Sequence, residues 1–136
     1  MELEGRILKS GKFWLAEIPG LDYLTQGHSE KEALEMARDI VETGIDKKGV
    51  SIKISTLAKG AFVVTASDSK AMIAHMLKRL RQKHGLTVRE VSKRMGSSSP
   101  NAFGSYEQGR VAPTLEKLEE LLHAIDPTHS LVLKIA

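Results

Sequence analysis

The spacing of apolar residues changes near residue 67, and the change separates two kinds of structure. At the start, Leu3, Gly5 and Ile7 alternate imperfectly with Glu4, Arg6 and Leu8; Ser10-Gly11-Lys12 supplies turn residues, and the stretch from Phe13 to Ile18 is extended and apolar. Strand side chains point alternately to opposite faces, so the pattern predicts a β-hairpin. Pro19-Gly20 interrupts it, and the stretch from Tyr23 to Gln26 predicts a third short strand ending at Gly27. Ser29 with Glu32 forms a capping box, after which Ala33, Leu34, Ala37, Ile40 and Val41 recur at helical spacing until Gly44 stops the helix. Val50, Ile52 and Ile54 share one face of a further strand, and the β-branched run from Ala61 to Ala66 follows across Lys59-Gly60, which predicts a second hairpin. Strands and helix in the order β-β-β-α-β-β give an antiparallel-leaning sheet with one helix on one face.

Beyond residue 67 the spacing is helical throughout. Ser69 can cap a helix that buries Ile73, Met76, Leu77 and Leu80 and turns Lys78, Arg79, Arg81, Gln82 and Lys83 outward, ending at His84-Gly85. Thr87 with Glu90 opens a second, short helix whose inner face is Val88, Val91 and Met95, closed by Gly96. The run Ser97-Ser98-Ser99-Pro100 offers caps with Pro at the first helical position; Ala102, Phe103 and Tyr106 then fall at buried spacing and Asn101, Gly104 and Ser105 outward. Pro113-Thr114 starts another helix with Leu115, Leu118, Leu121, Leu122 and Ile125 inside. Past Asp126-Pro127, Leu131, Leu133 and Ile135 alternate, which predicts a short strand from Ser130 to Ile135, free to pair with a two-fold mate or to fold back. The fold class expected is α+β: a sheet domain over 1–67 followed by an all-α domain over 68–136.

Charge follows the same division. Residues 1–69 hold nine Lys/Arg against eleven Asp/Glu, and residues 70–136 hold eleven against six; between Lys70 and Arg110 the only acidic residues are Glu90 and Glu107. A basic segment attracts polyanions, or is simply a solvated face. With no Cys there are no disulfides and no thiolate metal site, which fits a reducing compartment. A charged stretch from Met1 to Ser10 is no signal peptide, and the longest apolar runs, of which Ala61 to Val64 is one, are far short of the roughly 20 residues of a membrane helix. These features lead to the expectation of a cytoplasmic protein with no membrane partner. Each half has a core of marginal size, so a homo-oligomer, a dimer or higher, is expected.

The string from Leu86 to Gly96, with Tyr106-Glu107, Gly109-Arg110 and Pro113-Thr114-Leu115 behind it, resembles the Xre/Cro helix-turn-helix family. Ten positions separate Gly96 from Glu107 where that family usually has nine, and Ser92 stands where it usually has Ala, a swap tolerated if the hydroxyl bonds to the preceding turn. The resemblance implies operator DNA as partner. Thr87 and the helix it caps would meet phosphate; Ser99, Pro100, Asn101 and Ser105 would sit at the recognition helix, with Asn101 able to pair with adenine in bidentate fashion. Arg89, Arg94 and Arg110 would bind phosphate, and Arg81 would pair with Glu107 to brace the first helix against the recognition helix. As residue types, Ser, Gly and Asn at a helix start are also simply good caps.

In the first half, Glu17, Pro19, Gly27, Glu32, Ala33 and Leu34 match the pattern of HicB-type antitoxins: a hairpin ending in Glu-x-Pro, a Gly just before the helix cap, and Glu-Ala-Leu opening the helix. That resemblance implies a partial ribonuclease-H-like sheet without nuclease chemistry that covers a HicA-type mRNA-cleaving toxin, and it makes operator binding a form of autoregulation. Tyr23, and less so Trp14, are candidate anchors for the toxin, although either is equally a core residue. The strand carboxylates Glu2, Glu4, Glu17 and Asp22 show no metal-binding constellation, and the five His are scattered without i, i+3 or i+4 pairs. No catalytic residue, cofactor or metal is therefore expected. The rival reading is a stand-alone helix-turn-helix regulator whose first domain dimerises or senses a ligand; a third keeps ribonuclease activity in that domain.

Overall fold

The computed structural model describes residues 1–135. The chain divides into two compact units, Met1–Met72 and Ile73–Ala136.

The first unit has five strands, β1 (Glu2–Ser10), β2 (Phe13–Ile18), β3 (Tyr23–Gly27), β4 (Ile52–Thr56) and β5 (Ala61–Ala66), with the helix α1 (Glu30–Ile45) between β3 and β4. A short 3-10 turn, Pro19–Leu21, separates β2 from β3. Pairing is antiparallel throughout in the order β3-β2-β1-β5-β4, so α1 carries the chain from one edge of the sheet to the other. The register places Ile7 opposite Ala16, Ile18 opposite Tyr23 and Ile54 opposite Val64. Alternation therefore collects Leu3, Ile7, Ala16, Ile18, Phe62, Val64 and Ile52 on one face, where Ile7, Ala16, Ile18, Ile52, Phe62 and Val64 form the core with Ala33, Ala37 and Val41 of α1. Gly27 makes this packing possible: a Cβ there would lie 2.5 Å from the backbone nitrogen of Ala33, so only glycine lets α1 settle so close to β3.

Ser29 caps α1 by accepting from the Glu32 N–H, while Glu32 reaches back to the His28 N–H rather than to that of Ser29. Gly44 does not stop the helix, which runs to Ile45 and ends where Asp46 turns left-handed (φ 45°) and its N–H bonds to the Glu42 carbonyl. The cost of a left-handed Asp is small because its short polar side chain tolerates that region. The second hairpin closes through a turn at Lys59-Gly60, both with positive φ.

The helix α2 (Ser69–Lys83) begins with Ser69 inside it, because Asp68 is the cap: its Oδ1 accepts from the Ala71 N–H at 3.1 Å. Lys47, bonded to the other oxygen at 2.8 Å, is the largest influence holding the Asp68 carboxyl below its ordinary pKa. The second unit adds α3 (Val88–Arg94), α4 (Gly104–Glu107) and α5 (Leu115–Ile125). Met76, Leu77, Leu80, Val91, Phe103, Leu118, Leu121, Leu122 and Ile125 are its buried apolar residues of medium and large size among the described residues. The expected strand from Ser130 to Ile135 is not formed. Residues 131–135 have no regular structure, and Val132, Leu133 and Ile135 are largely exposed, because a strand needs a paired ladder and no described strand of the unit offers one.

Candidate nucleic-acid interface

Two short helices and the turn between them carry the interface. Thr87 caps α3 by accepting from the Glu90 N–H at 3.1 Å, and the helix ends at Gly96, whose φ of 76° turns the chain sharply while the Ser97 N–H bonds back to the Ser92 carbonyl. The next helix does not begin at Pro100. Residues 98–103 form bends and turns, with Ala102 N–H bonded to Ser99 and Gly104 N–H to Asn101, and helical geometry starts only at Gly104.

The physical reason lies in Ser92. Its side chain is fully buried; the hydroxyl donates to the Val88 carbonyl at 2.8 Å and accepts the backbone N–H of Phe103 at 3.0 Å. Phe103 thus spends its N–H on α3 instead of on a helical carbonyl, so the longer connection is taken up as turns. Gly104, expected to face outward, is buried with Val88 3.4 Å from where its Cβ would be: it is the contact point of α3 and α4.

Arg81 ties α2 to α4. Its Nε and Nη2 donate to Glu107 at 2.6 and 2.7 Å in a two-pronged pair, and Nη1 donates to the Leu86 carbonyl at 2.8 Å. Only 15% and 9% of the two side chains is exposed, and the Glu107 bonds raise the Arg81 pKa above its ordinary value. Of the two acidic residues in the basic segment, Glu107 is thereby neutralised and Glu90 stands at the start of α3.

Thr87, Arg89, Ser99, Pro100, Asn101 and Arg110 are exposed, whereas Ser105 is half-buried in a shallow groove with Met95, Ala102, Tyr106 and Lys117. Arg94, also exposed, is partly engaged within the unit. Its Nη1 donates to the carbonyls of Ala124 and Ile125 at 3.3 and 3.2 Å, satisfying the end of α5. Sequence reasoning named Ser92 for one of its two bonds; the bond to Phe103 depends on tertiary placement and left no signal.

In the first unit, Tyr23 and Trp14 are half-buried and share the helix-bearing face with Ile18 and Ala16. Glu2, Glu4 and Glu17 are exposed on the opposite face. They form no cation cluster: among the described residues, the one group of three ligand-type side chains close enough to hold an ion is His84, Asp126 and His129, all in the second unit.

A capped short helix joined through a glycine turn to a second short helix, which a largely buried ion pair ties to α2, forms a DNA-binding helix-turn-helix unit. The family described as a helix-turn-helix domain matches residues 73–131, so DNA is the partner this part of the chain points to, and control of transcription its role. No curated protein matches the chain. Among the described residues, no helix is long and apolar enough to cross a membrane.

Proposed function

We propose that the chain is an antitoxin: its second unit binds the operator of its own operon, and its first unit, a HicB-like partial ribonuclease-H-like sheet, covers a small basic HicA-type toxin without catalysis of its own. The observation that carries the toxin-binding half is the sheet face opposite α1. Leu8, Phe13 and Leu24 lie there, 46%, 36% and 64% exposed, with Glu4 and Glu17 on the same face. Apolar residues beside carboxylates suit a cationic protein partner, since complementary charge steers encounter while apolar anchors hold it. Tyr23 then serves at the edge strand, with the open face as the main anchor.

Co-expression with the neighbouring gene product tests this half. Growth is restored and a complex co-purifies; Leu24→Asp with Phe13→Asp abolishes both while leaving operator binding intact. Normal rescue by the double variant removes the open face from the reading, and absence of any complex favours a stand-alone regulator.

For DNA, the proposal places Asn101, with Ser99, Pro100 and Ser105, at base edges and Thr87, Arg89 and Arg110 at phosphates, in a homo-oligomer that reads repeated half-sites. Asn101→Ala relaxes discrimination at one base by about 1–3 kcal/mol, whereas Arg110→Ala weakens all sequences alike. A wild-type footprint indifferent to sequence would overturn operator recognition.

A further inference from the structure

His84, just past the end of α2, and Asp126 and His129, in the turn that follows α5, meet in space although the sequence scatters them. The geometry points to a binding site for a divalent transition-metal ion of the zinc class, held by His84, Asp126 and His129 at the junction of the two helix ends.

Three features carry this. The ligand atoms of all three side chains lie within 4.8 Å of one another. The Nε2 atoms of His84 and His129 stand 3.5 and 3.6 Å from the same carboxylate oxygen, Oδ2 of Asp126. A charge-assisted hydrogen bond would close to about 2.7–2.9 Å. Ligands about 2.0–2.1 Å from a tetrahedral ion are about 3.4 Å apart, which is the separation seen for both His–Asp pairs.

The carboxylate is also pre-oriented. Its other oxygen, Oδ1, accepts from the Thr128 N–H at 2.9 Å and the Thr128 hydroxyl at 2.7 Å, leaving Oδ2 directed at the two imidazoles. Such outer bonds fix the orientation of first-sphere ligands. The imidazoles meet nearly edge to face, 75° between planes and 5.6 Å between centroids, so both can present a nitrogen to one point without stacking. Nδ1 of His129 is buried with no hydrogen-bond partner. About 30% of each His side chain is exposed, which leaves an entry path.

Two imidazoles and one carboxylate suit zinc-class ions and disfavour magnesium and calcium, which take oxygen ligands. Three protein ligands leave a fourth position open. A bound ion would tie the end of α2 to the turn after α5, next to the helix end that Arg94 already caps, and so stiffen the helix-turn-helix unit.

The test uses the untagged, chelator-treated full chain titrated with Co2+ alone, followed by visible absorption, and with Zn2+ by calorimetry. A single ion binds per chain, with absorption bands of low-coordinate Co2+. His84→Ala, His129→Ala and Asp126→Asn each weaken binding by at least about tenfold, and Thr128→Val by roughly tenfold through loss of orientation. His28→Ala and His123→Ala leave it unchanged. Asp126→Asn preserves shape, and its metal-free melting temperature separates lost ligation from lost folding. Absence of saturable binding to the wild type overturns the site, as does binding that His123→Ala abolishes and Asp126→Asn leaves intact.

Discussion

In the sheet unit the ion pairs stay at the surface, while in the helical unit one of them, Arg81–Glu107, is largely buried. Arg38 bonds to Asp39 and Glu42 with all three side chains about half exposed, and the interior beneath α1 is built from apolar residues and a fitted glycine. In the helical unit, Arg81–Glu107, the double bond of Ser92 and the Arg94 clamp on α5 all join elements distant in sequence. Element length explains the difference. A helix of sixteen residues presents a long apolar stripe; α3 and α4, with seven and four residues, cannot. Short helices draw their stability from tertiary contacts. Here directional polar bonds supply them, and they also fix the angle at which a DNA-reading surface is held.

The largest effect is therefore expected at the central tie. Glu107→Ala leaves the Arg81 guanidinium buried without its partner and lowers stability by about 3–5 kcal/mol in urea unfolding. Replacing both residues with apolar ones of similar size recovers most of this while loosening operator recognition. A double-variant loss equal to the sum of the two single-variant losses would show that the pair is not coupled.

Acid should separate the units next. His75, 7% exposed in α2, is held down at about 4, first by burial and then by the nearby charges of Arg79 and Lys78. The unfolded chain, with an ordinary His pKa near 6.5, binds a proton in this window that the folded chain refuses. Stability is thus full above about pH 6.5 and falls as pH drops toward 4, by at most about 3 kcal/mol. The depressed carboxyls of Asp68 and Asp126 lose their contributions only at lower pH, below the ordinary value of 3.8. His75→Leu flattens the upper window; an unchanged slope in that variant assigns it elsewhere.

A smaller loss, about 1–3 kcal/mol, is expected for Ser92→Ala, which deprives the buried Phe103 N–H of its acceptor. Amide exchange reads this directly, since Phe103 should lose protection before its neighbours in α4. Retained protection would mean that the connection has refolded into a longer helix, with residues 100–103 joining it.

What the sequence discloses divides along similar lines. The caps at Ser29 and Thr87 and the five strands are local patterns, and each appears near where its spacing puts it, although β4 begins at Ile52 and leaves Val50 outside. Arg81 and Glu107 were read through a family resemblance, which carries tertiary information that spacing lacks. The start of α4 was misread because Pro100 and the serines make a good helix start by themselves, while the deciding bond comes from Ser92 in another helix. Leu131, Leu133 and Ile135 alternate convincingly, yet a strand depends on a neighbour that the pattern cannot supply. The His84, Asp126 and His129 cluster was illegible for the same reason: no short period links one helix end to the turn beyond another.

The smallest effect lies at the surface pair of the sheet unit. Arg38 bridges Glu42 at 2.8 Å one helical turn away and Asp39 at 2.7 Å, but its side chain is 47% exposed and both partners are screened by water. Exposed pairs of this kind contribute about 0.3–0.5 kcal/mol. Arg38→Ala should therefore shift the urea midpoint by roughly a tenth of what Glu107→Ala does, and 1 M salt, where the screening length falls to about 3 Å, should erase that shift while leaving the Arg81–Glu107 loss nearly intact. A salt-resistant loss at Arg38 as large as the one at Glu107 would mean that α1 depends on its surface charges, and that distance from the core does not distinguish the two units.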